Sequence, residues 1–174
     1  MKNRIELRKF KISDLDKMME MFLDKKVTDA IGLTLSLNPP KITKKFEKKW
    51  LEESIAEYKK KKPSKYNLAI ISDGIYVGNI GTHQIDYENE SIEVGYWIGN
   101  KYWGNGIATK ALKLFIKKLN KKFKIKRIVG FAFTFNPASK RVMEKCGFKL
   151  EGIRRKVKKG KNKFYDNYQL AKIQ

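Results

Sequence analysis

The stretch from Ser91 to Leu119 constrains the fold more than any other part of the chain. It reads as a strand (Ser-Ile-Glu-Val-Gly-Tyr-Trp-Ile), then a glycine turn from Trp103 to Thr109, then a helix. Ala108, Ala111, Leu112, Phe115, Ile116 and Leu119 recur at helical spacing and define one apolar face. Gly104 and Gly106 remove side chains where the loop enters that helix. The first helical N–H groups have no intrahelical partner, and the helix dipole is positive there. Exposed amides with no Cβ beside them make a seat for phosphate oxygens. A plain turn with helix-capping glycines is the alternative.

Three phosphate motifs compete for this loop. The dinucleotide fingerprint Gly-x-Gly-x-x-Gly nearly fits from Gly104, but Thr109 replaces the third glycine. Where that fold wants an acid, about 20 residues on, stand Lys124, Lys126 and Arg127. The P-loop spacing is met by Gly99 and Gly104, but Asn105 and Gly106 follow instead of Lys and Ser/Thr. A third pattern, Gln/Arg-x-x-Gly-x-Gly/Ala, matches at Gly106 and Ala108 and carries Trp103 in its first position.

A second motif separates them. Asn136-Pro137-Ala138-Ser139 opens a segment that runs to Glu144-Lys145-Cys146-Gly147-Phe148 and on to Arg155. The two blocks, in this order, resemble the GNAT superfamily of acyl-CoA-dependent N-acetyltransferases, in its ribosomal-protein N-terminal acetyltransferase-like branch. The likeness is sharpest from Glu93 to Arg155 and extends back to Ile5. It implies acetyl-CoA as co-substrate, with pyrophosphate on Trp103, Gly104, Asn105, Gly106, Ile107, Ala108 and Thr109. It places the acyl-CoA beside Trp97, Ile98 and Asn136, in a gap between splayed strands, with Ser139 near the thioester sulfur; an ordinary turn asparagine before proline and a serine that only satisfies backbone are the alternatives. Backbone groups there can pair with pantetheine amides as an added strand would. The implied acceptor is a primary amine, as on a protein N-terminus, a polyamine or a small metabolite. Many relatives carry a tyrosine one turn beyond the serine; here that position is Met143, which has no proton to give. The resemblance therefore puts the leaving-group role on Ser139, or on water or the amine.

Acetyl transfer to an amine needs a proton acceptor and donors near the thioester. Alternation puts Glu93, Gly95 and Trp97 on one strand face and Ile92, Val94, Tyr96 and Ile98 on the other. A glutamate within a central strand is expensive unless solvated or paired; the resemblance implies a base, often working through water, near this strand position, so Glu93 is the candidate, and an ordinary rim carboxylate is the alternative. His83, the sole histidine, reads first as a structural or surface group. Asp86, Glu88, Glu90 and Glu93 form the most acidic patch, suited to a cationic amine. No metal-ligand spacing is present, so no metal is expected.

With 174 residues, 41% of them hydrophobic, the chain is expected to form one domain over residues 1–174. No apolar run approaches a membrane span, and Met1 to Glu6 holds no apolar signal segment. Cys146 is the single cysteine and reads as a small core residue. A cytoplasmic monomer or homodimer is the expectation. The net charge of +22 fits either a lysine-rich solvated surface or weak contact with RNA or a ribosome. The one dense basic run, Arg154 to Lys163, reads as a hairpin tip.

The remaining pattern completes the order. Ile5 to Phe10 is a strand, and Ser13 with Asp16 reads as a helix start. Residues 27–42 read as a loop, and Thr43 caps a helix with Phe46, Trp50, Leu51, Ile55 and Tyr58 inward. Tyr66 to Gln84 is a hairpin about Asp73-Gly74. Arg127 to Thr134 is a near-continuous apolar strand, expected to be buried on both faces. Pro137 opens a helix that Gly147 closes, and a hairpin from Leu150 to Ala171 ends the chain. The predicted class is α+β, a mixed sheet flanked by helices in the order β-α-α-β-β-β-α-β-α-β-β.

Overall fold

The computed structural model describes residues 4–174. Met1, Lys2 and Asn3, where the sequence shows no apolar signal, lie outside the described residues. The elements are β1 (Ile5–Arg8), α1 (Leu15–Phe22), α2 (Lys25–Ala30), α3 (Lys44–Glu57), β2 (Leu68–Ser72), β3 (Ile75–Asp86) and β4 (Ser91–Ile98). After them come α4 (Ile107–Lys122), β5 (Arg127–Phe133), α5 (Pro137–Glu144), β6 (Lys149–Lys159) and β7 (Phe164–Ile173). Among the described residues the strands form one seven-stranded mixed sheet in the order β1-β2-β3-β4-β5-β7-β6. Only β4 and β5 pair in parallel, because α4 carries the chain back between them.

Two apolar clusters sandwich the sheet. Ile92, Val94 and Ile98 of β4 meet Leu112, Phe115 and Leu119 of α4 on one face. Ala69, Ile71 and Tyr76 meet Met18, Met21 and Leu51 of α1 and α3 on the other. Each fully buried Leu or Phe contributes roughly 1.5–3 kcal/mol against exposure, so this packing positions the site. No helix among the described residues is long and apolar enough to cross a membrane.

The departures from the sequence reading are local and have causes. The helix start is set by a tight turn over Ile12–Asp14 that the Asp14 carboxylate braces, not by Ser13 and Asp16. The Asp14 carboxylate accepts from Lys11 N–H at 2.8 Å and grips Arg8 at 2.6 and 2.7 Å. Burial raises the Asp14 pKa, but these donors outweigh burial and hold it below the usual carboxylate range. Residues 27–42 are not all loop: Asp24 accepts from Lys26 N–H at 2.9 Å and starts α2. Thr43 does cap α3, accepting from Phe46 N–H at 3.2 Å, and Trp50, Leu51, Ile55 and Tyr58 face the core as expected, but Phe46 does not. Phe46 is 58% exposed, while Glu47 and Leu51 are buried. The apolar run of β5 is buried on one face only, with Val129, Phe131 and Phe133 half-buried on the other. The dense basic run covers the second half of β6 and the turn at residues 160–163 that joins it to β7, so it does include the hairpin tip.

Candidate active site

The glycine turn has the geometry that an anion seat needs. Gly104 and Gly106 stand at φ +79° and +69°, and a Cβ at either would meet nothing within 4 Å. Left-handed backbone rather than crowding therefore requires the glycines. Gly106 leads into α4, where its carbonyl accepts from Lys110 N–H at 3.1 Å. Asn105 steadies the turn through Nδ2, which donates to the carbonyls of Tyr102 at 3.3 Å and Trp103 at 3.1 Å. Trp103 is 45% exposed, and its indole N–H donates to the Ile98 carbonyl at 2.7 Å. The ring thus ties the turn to the end of β4. Ile107 is buried under the first helical turn. Ala108 packs against the core, and Thr109 takes the Cys146 thiol on its carbonyl at 3.5 Å.

Beyond the turn the sheet opens. The parallel pairing of β4 and β5 ends at Val94 and Gly130. From there β4 continues to Ile98 beside β3, and β5 to Phe133 beside β7. A cleft of about 480 Å³ fills the gap, bordered by the glycine turn, α5 and α2. Glu93, Trp97, Ile98, Asn136 and Ser139 all border it, as do Trp103, Gly104, Gly106, Ile107, Ala108 and Thr109. Trp97 nonetheless turns its ring away, 5.2 Å from Phe22 and 6.5 Å from Tyr76. Ile98 is core.

Asn136 is tied internally. Its Oδ1 accepts from Ser139 N–H at 3.1 Å and caps α5, while its Nδ2 donates to the Ala30 carbonyl at 3.0 Å. The side-chain amide thus clamps α2 against α5 at the edge of the cleft, and Nδ2 keeps a second N–H beyond the one given to Ala30.

Ser139 is where sequence reasoning fell short. Its Oγ lies 3.0 Å from the Tyr96 hydroxyl, which also reaches the Ser139 carbonyl at 3.2 Å. Tyr96 shares the inward face of β4 with Ile92, Val94 and Ile98. Burial pushes its phenol up to about 12, against the opposing pull of the Ser139 hydrogen bond, so it stays protonated. The signal was in the sequence: one phenol among aliphatic residues on a buried face needs a polar partner. Met143, the position where relatives carry tyrosine, is 1% exposed. Its thioether fills the space over Gly130, 2.9 Å from where a Cβ would stand.

Glu93 borders both the cleft and a shallower hollow of about 270 Å³ that shares Phe131 with it. His83 is brought in by a break in register: it is the extra residue between Thr82 and Gln84 opposite β4. Its imidazole lies over Gly95, where a Cβ would stand 2.2 Å from Nε2. The acidic patch is mostly occupied. Asp86 accepts from Glu88 and Asn89 N–H at 3.1 and 2.9 Å, and Glu90 pairs with Lys124. Asn167, which sequence reasoning missed, borders the cleft with a buried Oδ1 that has no hydrogen-bond partner among the described residues. No group of three or more metal-ligating side chains occurs among the described residues.

A splayed parallel pair with a glycine turn at its mouth defines a class, and the comparisons agree. The chain belongs to the acetyltransferase (GNAT) domain family, whose pattern matches residues 4–149. It is therefore an acetyltransferase. It is 24% identical over 169 residues to the uncharacterized N-acetyltransferase p20 of Bacillus licheniformis, covering 97% of this chain and 92% of that one. It is 31% identical over 83 residues to the ribosomal-protein-serine acetyltransferase of Escherichia coli, covering 48% and 46%. In fold it matches the spermidine N-acetyltransferase of Vibrio cholerae, solved with CoA and spermine. The TM-score is 0.83 at 15% identity over 98% and 95% of the two chains.

Proposed function

We propose that residues 1–174 act as one unit that moves an acetyl group from acetyl-CoA to a primary amine at the N-terminus of a protein. The observation that carries this is the cleft itself, with the glycine turn at its mouth and Ser139, Tyr96 and Glu93 all bordering it. The likeness to a ribosomal-protein-serine acetyltransferase supports the acceptor. A polyamine acceptor is the second reading, favoured by the likeness to a spermidine acetyltransferase. A purely RNA-binding role would leave the glycine turn and the cleft's polar groups without use. The buried free thiol of Cys146 suits a reducing cytoplasm.

Acetyl-CoA supplies an activated thioester carbonyl. The α4 amides and the turn at Gly104–Gly106 hold its pyrophosphate. Glu93 accepts the proton that the amine nitrogen loses as the C–N bond forms. The Ser139 hydroxyl donates a hydrogen bond to the sulfur as the C–S bond breaks. Tyr96 holds that hydroxyl in place. A phenol near 12 does not surrender its proton to a thiolate, whose thiol titrates near ~8.5. Tyr96 is thus a positioning residue.

Free-thiol release with acetyl-CoA and N-terminal peptides tests the reading. Glu93→Gln keeps acetyl-CoA affinity by calorimetry and lowers the rate by roughly 10²–10⁴. The loss shrinks as pH rises, because more amine is already neutral. An unchanged pH–rate profile in that variant would make Glu93 a bystander.

A further inference from the structure

The sheet face that carries Glu93 also carries two arginines, and they differ. Arg127 on β5 grips the Glu151 carboxylate through both terminal nitrogens, so that pair has no net charge. Arg154 on β6 is exposed and has no carboxylate partner among the described residues. Its guanidinium reaches across β7 to stand 4.5 Å from the centre of the Phe131 ring. The Phe131 ring is part of the wall shared by the cleft and the hollow.

The fold builds this pose. The register of β6 against β7 shifts between Arg154 and Lys158. Inside that bulge Lys156 stands at φ +56°, and its N–H donates to the Asp166 carboxylate at 2.7 Å. The Asp166 carbonyl in turn accepts from Thr134 N–H at 3.0 Å, tying the bulge to the end of β5. Val129 is the register partner of Glu93, and Phe131 follows it by two residues. One strand spacing sideways and two residues along place Phe131, over whose ring the guanidinium stands, about 8 Å from Glu93 along the same sheet face. Beside them Asn167 presents its unpartnered buried Oδ1, which calls for an N–H donor.

A base and an unpaired cation on one sheet face, with the Phe131 ring between their strands, suit a zwitterionic ligand. We propose that Arg154 selects acceptors that carry a carboxylate one residue beyond the reactive nitrogen, as in a polypeptide whose second residue is Asp or Glu. Resting on the acetyl transfer proposed above, this names its acceptor class. A polyamine would bring a cation to where Arg154 already stands, and like charge opposes it.

The test compares kcat/KM, by thiol release at saturating acetyl-CoA, for three amidated peptides that differ only in Asp, Ala or Lys at the second residue. Spermidine is the fourth acceptor. The Asp peptide is expected to exceed the Ala peptide by about tenfold, as a charge-assisted Arg–carboxylate contact allows. The Lys peptide falls below Ala, and spermidine is last. Arg154→Gln erases the Asp–Ala difference and Arg154→Glu inverts it, both with unchanged acetyl-CoA affinity by calorimetry. Arg155→Gln removes the same charge from the adjacent exposed position and leaves the order intact. Rates indifferent to the second residue, spermidine as best acceptor, or flattening by Arg155→Gln would each overturn the proposal while acetyl transfer stands. No thiol release with any of the four, acetyl-CoA still binding, would overturn both.

Discussion

The two sides of the cleft are built by different means. The cofactor side, from the end of β4 through the glycine turn into α4, is one continuous stretch of chain. The anion seat proposed there is main chain in a set conformation, and its contacts are local: Asn105 to Trp103, Trp103 to Ile98, Lys110 to Gly106. The proposed acceptor side is assembled from β3, β4, β5, β6, β7 and α2. Its side chains are aimed by register breaks at His83 and at Lys156 and by the Asn136 clamp on Ala30. A seat for a shared group can be made from local backbone. A selective wall needs side chains from distant segments, and it can change without disturbing the seat.

That contrast is open to attack from either side, and the largest effect is expected at the seat. Gly106→Glu puts a carboxylate in the proposed phosphate seat and strains a residue at φ +69°. The strain costs about 1–2 kcal/mol, which a well-packed α4 tolerates. Acetyl-CoA binding by calorimetry should fall by at least roughly 100-fold, with the circular dichroism spectrum unchanged. Retained affinity would show that the phosphates lie elsewhere.

The wall between the two sides comes next. Ser139→Ala and Tyr96→Phe should each lower the saturated rate by about tenfold with little change in acetyl-CoA affinity. The double variant should be no worse than Ser139→Ala alone, because the two hydroxyls act as one unit. Additive losses would mean that Tyr96 acts independently of Ser139.

The smallest effect is expected on the acceptor side. Gly32 stands at φ +74°, and a Cβ there would lie 2.2 Å from the Phe133 ring. Gly32→Ala therefore pushes the segment after α2 off β5. The expected result is a KM for the amine raised about threefold to tenfold, with acetyl-CoA affinity unchanged. A matching loss of acetyl-CoA affinity would show that the two sides are one mechanical unit.

The sequence by itself determined the elements whose signals are short-range. Gly104 and Gly106 announced the turn, alternation announced β4, and the apolar stripe from Ala108 to Leu119 announced α4. Together with the Asn136–Ser139 block they were enough to reach the GNAT fold and its family. Helix α2 was not legible: six residues are too few to show a helical period, and its cap, Asp24, looks like any turn residue. The acceptor wall was not legible either. Whether Arg154 faces Phe131, and whether Tyr96 meets Ser139 43 positions away, depends on strand register and bulges. One residue of slip sends a side chain to the opposite face of a sheet. Register is set by the packing of all seven strands at once, so only the tertiary structure could decide which polar groups share the cleft.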